Sequence, residues 1–214
     1  MRKQTDIYQR MIDNRFFCMA WLVIGVVFIT WFGALKVPYE DGPGYYPMFV
    51  RTASVIAMYY SKLYYLWMAF MIIALFLNIK YMYRHNNYEG KLGKKLMYAG
   101  FVCIIVTKIV PHAESGIPKL IHWTAALSFG VFCAATIILF LGNKSKTNKR
   151  FLITLILFVA VLAVMIILLI LFKENGAIET LPIWSAYLIL FLVNFTKLYK
   201  EKPEKLPAAI SAEV

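Results

Sequence analysis

Charge is scarce in this chain, and acid is scarcer than base. Of its 214 residues 16% are charged, with 11 Asp and Glu against 23 Lys and Arg, while 61% are hydrophobic. Soluble domains carry about a quarter charged residues and roughly half apolar ones, so the composition excludes an ordinary soluble domain and belongs to the membrane class. Cysteine is nearly absent too. Cys18, Cys103 and Cys133 all lie inside apolar runs, and an odd number so placed is no disulfide framework; they read as small packing residues. No CxxC, zinc spacing, Walker loop, GxGxxG, HExxH or GxSxG occurs, so no metal and no cofactor is expected. Haem ligation through His112 and His122 fails because His112 follows a helix-ending proline. Nucleic acid is excluded as a partner despite the net charge of +12: the bases fall in short blocks between apolar runs and line no face that could enter a groove.

What the chain does have is six apolar runs near the ~20 residues needed to cross the hydrocarbon as a helix. They cover about 16–35, 63–82, 96–110, 120–141, 151–172 and 181–198. Lacking the alternation of barrel strands, they predict an all-α fold: a polytopic six-transmembrane-helix bundle forming one domain over 1–200. Residues 201–214, with Pro203, Pro207 and mixed charge, read as a disordered cytoplasmic tail. The polar start, with Asp6 and Asp13, does not resemble a cleavable signal, and the run after it is the first expected span. The fifth run holds Thr154 as its one polar residue and is expected to face lipid.

Orientation follows from the bases. The N-terminal tail, the second and fourth connections and the C-terminal tail hold 17 of the 23 Lys and Arg; the remaining six are Lys36, Arg51, Lys62, Lys108, Lys119 and Lys173. The positive-inside rule then puts both termini in the cytoplasm, most naturally across a plasma membrane. The first outer connection, 37–62, opens with turn-forming Pro38, Gly42, Pro43, Gly44 and Pro47. Its later part reads either as an interfacial helix or as an outward extension of the second span, and a lid over the bundle is as natural for it as a ligand role.

Polar groups at membrane depth are costly and therefore informative. They gather where the third run stops at Pro111 and the fourth begins: Thr107, Lys108, His112, Glu114, Ser115, His122, Thr124 and Ser128. Glu179 lies just before the sixth run. His122, Ala126, Gly130 and Ala134 recur every four residues, which predicts a helix-packing stripe that turns His122 toward the bundle. The third run is short, so an outward-facing recess is expected, floored near Lys108 and walled by His122. His122 then either binds a polar head group or shuttles a proton with Glu114 or Glu179, or it hydrogen-bonds a neighbouring carbonyl. Lys108 is either a ligand contact or a snorkelling side chain. Ser128 stands six residues from His122 and should face elsewhere, leaving no obvious nucleophile.

Several of these residues recur together in one family. A proline closing the third span (Pro111), a histidine opening the fourth ahead of small residues and a phenylalanine (His122, Ala125, Ala126, Phe129), and a glutamate, proline and tryptophan around the start of the last (Glu179, Pro182, Trp184) resemble the DRAM-like superfamily of six-helix membrane proteins, especially its uncharacterised bacterial and archaeal branch. The resemblance extends to span number and topology over nearly the whole chain, leaving out the tyrosine-rich first loop. Eukaryotic members are associated with GPI-anchor lipid remodelling, lipid asymmetry and lysosomal autophagy, which implies membrane lipids as partners here. Three functions are therefore expected in order: a non-enzymatic protein binding a lipid head group or small amphiphile, an intramembrane lipid-modifying enzyme using His122, and a small transporter or channel. The sequence does not fix the oligomeric state.

Overall fold

A computed structural model describes residues 2–39, 42–110, 115–172 and 175–199, with side chains from residue 7 onward. The expected tail 201–214 and the residues Glu40, Asp41, Pro111, His112, Glu114 and Glu174 lie outside the described residues. Among the described residues eight helices follow one another: α1 (Arg2–Asp13), α2 (Arg15–Gly33), α3 (Ala53–Tyr59), α4 (Ser61–His85), α5 (Lys91–Ile109), α6 (Gly116–Lys144), α7 (Lys149–Phe172) and α8 (Gly176–Phe195). No strand occurs among the described residues, and one isolated antiparallel bridge joins Pro38 to Tyr45. Five helices, α2, α4, α6, α7 and α8, are long and apolar enough to cross a membrane. The chain is therefore a helical, multi-pass membrane protein. The third apolar run is helical within α5, which is not one of those five.

The helix ends follow from capping more than from hydropathy. The Asn14 side chain accepts from the Phe17 N–H at 3.1 Å and starts α2. Asn175 accepts from Ala177 and Ile178 at 2.8 and 3.2 Å, so α8 begins five residues before the apolar run at 181. Such caps satisfy donors that a helix start leaves open. The polar N-terminal stretch, which gave no element in the sequence, forms α1. It buries Ile12 and is held to the end of α4 by an Asp13–Arg84 ion pair of 2.8 Å, half-exposed and so worth little in stability.

α2, α4 and α8 form the centre. α2 buries Cys18, Leu22, Gly25, Ile29 and Phe32, the three- and four-residue steps of one helix face. A Cβ on Gly25 would fall 2.8 Å from the Ala74 Cβ and 3.0 Å from the Tyr187 ring, so this glycine lets all three helices meet. Toward the basic end, Asn78 Nδ2 donates to the Cys18 and Ala74 carbonyls at 3.0 and 2.9 Å, and Asn194 Nδ2 donates to the Asn78 carbonyl at 3.0 Å. α5 packs along α6, and α7 lies outermost, burying only Phe151, Thr154 and Phe158. That agrees with the lipid-facing reading of the fifth run.

One expectation about a helix face is corrected. Ala126 and Gly130 are exposed, and a Cβ on Gly130 would meet nothing within 4 Å; of the four-residue stripe only His122 is buried, with Ala134 half-buried against the core. The face that α6 buries runs His122, Ala125, Phe129, Cys133, Thr136/Ile137 and Phe140. Steps of three and four keep pace with 3.6 residues per turn, while each uniform step of four drifts about 40°. The close approach to α5 is made at Gly100, where a Cβ would lie 3.3 Å from the Cys133 sulfur. Of the aromatic group opening α4, Tyr64 and Trp67 are buried and stacked at 5.3 Å, leaving Tyr65 exposed.

Candidate functional site

The first loop folds over the end of the bundle opposite the basic one. Phe49 holds it there in a left-handed conformation (φ 60°), with its N–H on the Gly33 carbonyl at 3.2 Å and its own carbonyl taking the Ala177 N–H at 2.9 Å. Its ring packs edge-on against Trp184 at 5.5 Å. Gly176 is needed beneath it, since a Cβ there would fall 2.4 Å from the Arg51 carbonyl oxygen. Thr52 then caps α3, its hydroxyl accepting from Val55 N–H at 3.3 Å.

α3 presents two consecutive residues to the candidate site. The Ser54 hydroxyl lies 2.9 Å from Nε2 of His122, and the Ala53 N–H donates to Oε2 of Glu179 at 3.3 Å. His122 is 4% exposed, and its Nδ1 sits 2.8 Å from the Val110 carbonyl at the end of α5. A carbonyl only accepts, so Nδ1 carries the proton; in the neutral ring Nε2 then accepts from Ser54. Glu179, in the first turn of α8 and beside the first turn of α3, places its charge where both helix dipoles favour an anion.

Of the other sequence candidates, Lys108 turns its ammonium over the rings of Tyr65 and Tyr64, at 4.1 and 5.7 Å. Such a cation–π contact shelters a charge near the membrane surface. Thr107 is buried, its hydroxyl on the Ile104 carbonyl at 2.7 Å and 3.5 Å from the Tyr64 hydroxyl. Glu114 lies outside the described residues. The structure thus brings His122 and Glu179 to one short helix, with Ser54 between them, and covers the imidazole with that helix. Sequence reasoning missed Ser54: a serine in a loop 68 positions from its partner leaves no periodic or spacing signal.

Chemically, this arrangement can do two things. It can act as a latch, opened by a polar group competing for Nε2 or for the Ala53 N–H. It also has the connectivity of a nucleophile, a base and a group that orients the base. No protein-family model, characterised protein or solved structure matches the chain.

Proposed function

We propose that the chain is a six-span, non-enzymatic protein of the plasma membrane, with both termini cytoplasmic and a lipid head group or small amphiphile bound at its outer end. Six spans are supported by direction. Near the outer loop, Ser54 in α3, the short helix that leads into α4, meets His122 near the start of α6; near the basic end, Tyr83 donates to the Thr136 carbonyl at 3.0 Å and the Thr136 hydroxyl donates to the Gly93 carbonyl at 3.1 Å. α4 and α6 therefore run parallel, which supports reading α5 as the span that returns between them. Its 19 residues reach about 28 Å, and Lys91, Lys94 and Lys95 sit at the basic end where they can snorkel. Membership of the DRAM-like superfamily is part of the same reading.

The observation that carries the binding function is the latch. A buried imidazole at membrane depth is joined to a loop helix by one hydroxyl, beside a carboxylate that holds the same helix, so a polar head group has hydrogen-bonding groups to compete for at the lid. Native mass spectrometry of the purified chain tests it. A discrete co-purifying lipid, exchanged more readily in His122→Ala, is the expected result; bulk lipid unaltered by that substitution rejects the reading.

One observation favours a second reading, a lipid-ester hydrolase: the Ser54–His122–Val110 carbonyl relay. Ser54 Oγ would attack an acyl carbonyl while His122 Nε2 takes the hydroxyl proton. The ester C–O bond then breaks, the departing alkoxide receives that proton, and water cleaves the acyl-serine in the same manner to release the free acid. A fluorophosphonate probe that labels the wild-type chain but not Ser54→Ala supports this reading, and an unlabelled wild type rejects it.

A further inference from the structure

At the basic end, the ends of four helices surround a cavity of about 320 Å³. His85 and the turn residues Asn86 and Asn87 come from the end of α4, Lys144 closes α6, and Thr147 lies in the turn before α7. Phe151 and Val193 make its apolar side. Among the described residues the polar lining offers an ammonium, an imidazole, two carboxamides and the hydroxyls of Thr147, Thr196 and Tyr199, and contains no carboxylate. Lys144 is half-buried and three residues past Leu141, the last fully buried apolar residue of α6. At about 1.5 Å per residue its backbone stands roughly 4.5 Å further along the axis, past the buried apolar part of the helix.

One effect opposes an anion here: α4, α6 and α8 all end nearby, and a helix C-terminus carries about half a negative charge. An end carbonyl of each is already engaged. Asn86 Nδ2 donates to the Met82 carbonyl at 2.8 Å, the N–H groups of Thr147 and Asn148 donate to the Lys144 carbonyl, and the Arg15 guanidinium donates to the Phe195 carbonyl at 2.6 Å. What remains is the full charge of Lys144, with the start of α7 and its Lys149 and Arg150 close by in sequence. A neighbouring cavity of about 330 Å³, lined by Asp13, Tyr81, Arg84 and His85, does not qualify, because its cation already faces Asp13 at 2.8 Å.

We infer that the cavity between the ends of α4, α6 and α8 binds a phosphate-bearing anion, with Lys144 as its charged contact and Asn87 as a neutral donor. A basic pocket between span ends on the positive side is where acidic phospholipid head groups are held. Free phosphate has the same chemistry. The test uses the full chain in neutral detergent, titrated with phosphatidylglycerol or phosphatidylcholine, with bound lipid read by native mass spectrometry and inorganic phosphate added as competitor.

Phosphatidylglycerol is expected to be retained over phosphatidylcholine, with Lys144→Gln lowering retention about five-fold, since one base near the surface is worth about 1 kcal/mol. Lys146→Gln, at an exposed lysine outside the cavity, should leave it within about two-fold. Asn87→Asp provides a second reading independent of Lys144. Asn87 has φ 48°, a conformation that aspartate also adopts, and the added carboxylate should repel the ligand to a similar extent. Displacement by millimolar phosphate identifies free phosphate as the ligand, and its failure identifies the head group. Equal retention of the two lipids by the wild type, or equal effects of Lys144→Gln and Lys146→Gln, overturns the assignment.

Discussion

Ser54 and His122 lie 68 positions apart in the chain, yet their side chains meet at 2.9 Å, and this contact joins the first loop to the start of α6. The imidazole is nearly fully buried, so removing the hydroxyl takes a hydrogen bond from a polar nitrogen held away from water. Such a loss costs about 1–3 kcal/mol. Ser54→Ala is expected to lower thermal stability in detergent and to speed proteolysis within 37–60. A double-mutant cycle with His122→Ala should give a coupling of about 1 kcal/mol; a coupling near zero would mean that the two groups do not hold the lid.

Glycines at two positions should respond in opposite ways. Gly25→Ala pushes a methyl to within 2.8 Å of the Ala74 Cβ, which the α4 backbone fixes, and overpacking of that kind costs about 1–3 kcal/mol. Gly130→Ala adds a methyl with nothing within 4 Å and should be neutral or mildly stabilising. Melting temperatures of the two variants, measured side by side, test which glycine holds helices together.

The lid has its own glycine. Gly176→Ala would place a carbon 2.4 Å from the Arg51 carbonyl oxygen, a backbone atom with little room to move. The expected outcome is a displaced loop, read as faster cleavage between α2 and α3, together with a loss of roughly 2 kcal/mol. Cleavage at the wild-type rate would show that the loop is not seated on α8.

Topology can be read directly from Asn87→Cys and Ser115→Cys, which flank α5. A membrane-impermeant thiol reagent should label them from opposite faces of the membrane. The native Cys18 and Cys133 are buried, and Cys103 is half-buried within α5, which limits background. Labelling from the same face would remove α5 from the spans.

The buried amides on α4 and α8 are expected to matter modestly. Asn194→Leu removes the donor to the Asn78 carbonyl, but it also removes Oδ1, a buried oxygen with no partner. Interhelical hydrogen bonds in membranes average about 0.6 kcal/mol. A change below about 1.5 kcal/mol is therefore predicted by thermal denaturation. A much larger loss would assign the pair a greater part in fixing the register of α4 on α8.

The long helices were legible because an unbroken apolar run of such length has one stable form in lipid. Their limits were not, since side chains of Asn14 and Asn175 set them and hydropathy does not register a cap. α1 was legible in principle: Ile7, Tyr8, Met11 and Ile12 recur at one-face spacing within a polar stretch, a pattern that length-based searches for spans pass over. The direction of His122 came out correctly although the stripe used to derive it did not, because drift along the stripe vanishes at its first residue. Ser54 and the Ala53 N–H were beyond reach. Their place depends on Phe49 turning the chain through a left-handed conformation, which nothing in a phenylalanine announces.

α7 is fully buried only near its N-terminal end, at Phe151, Thr154 and Phe158. Its remote half is consequently steered by its solvent more than by its neighbours. Thickening or thinning the bilayer should swing this helix like a pennant on a short staff while the α2, α4 and α8 trio stands still.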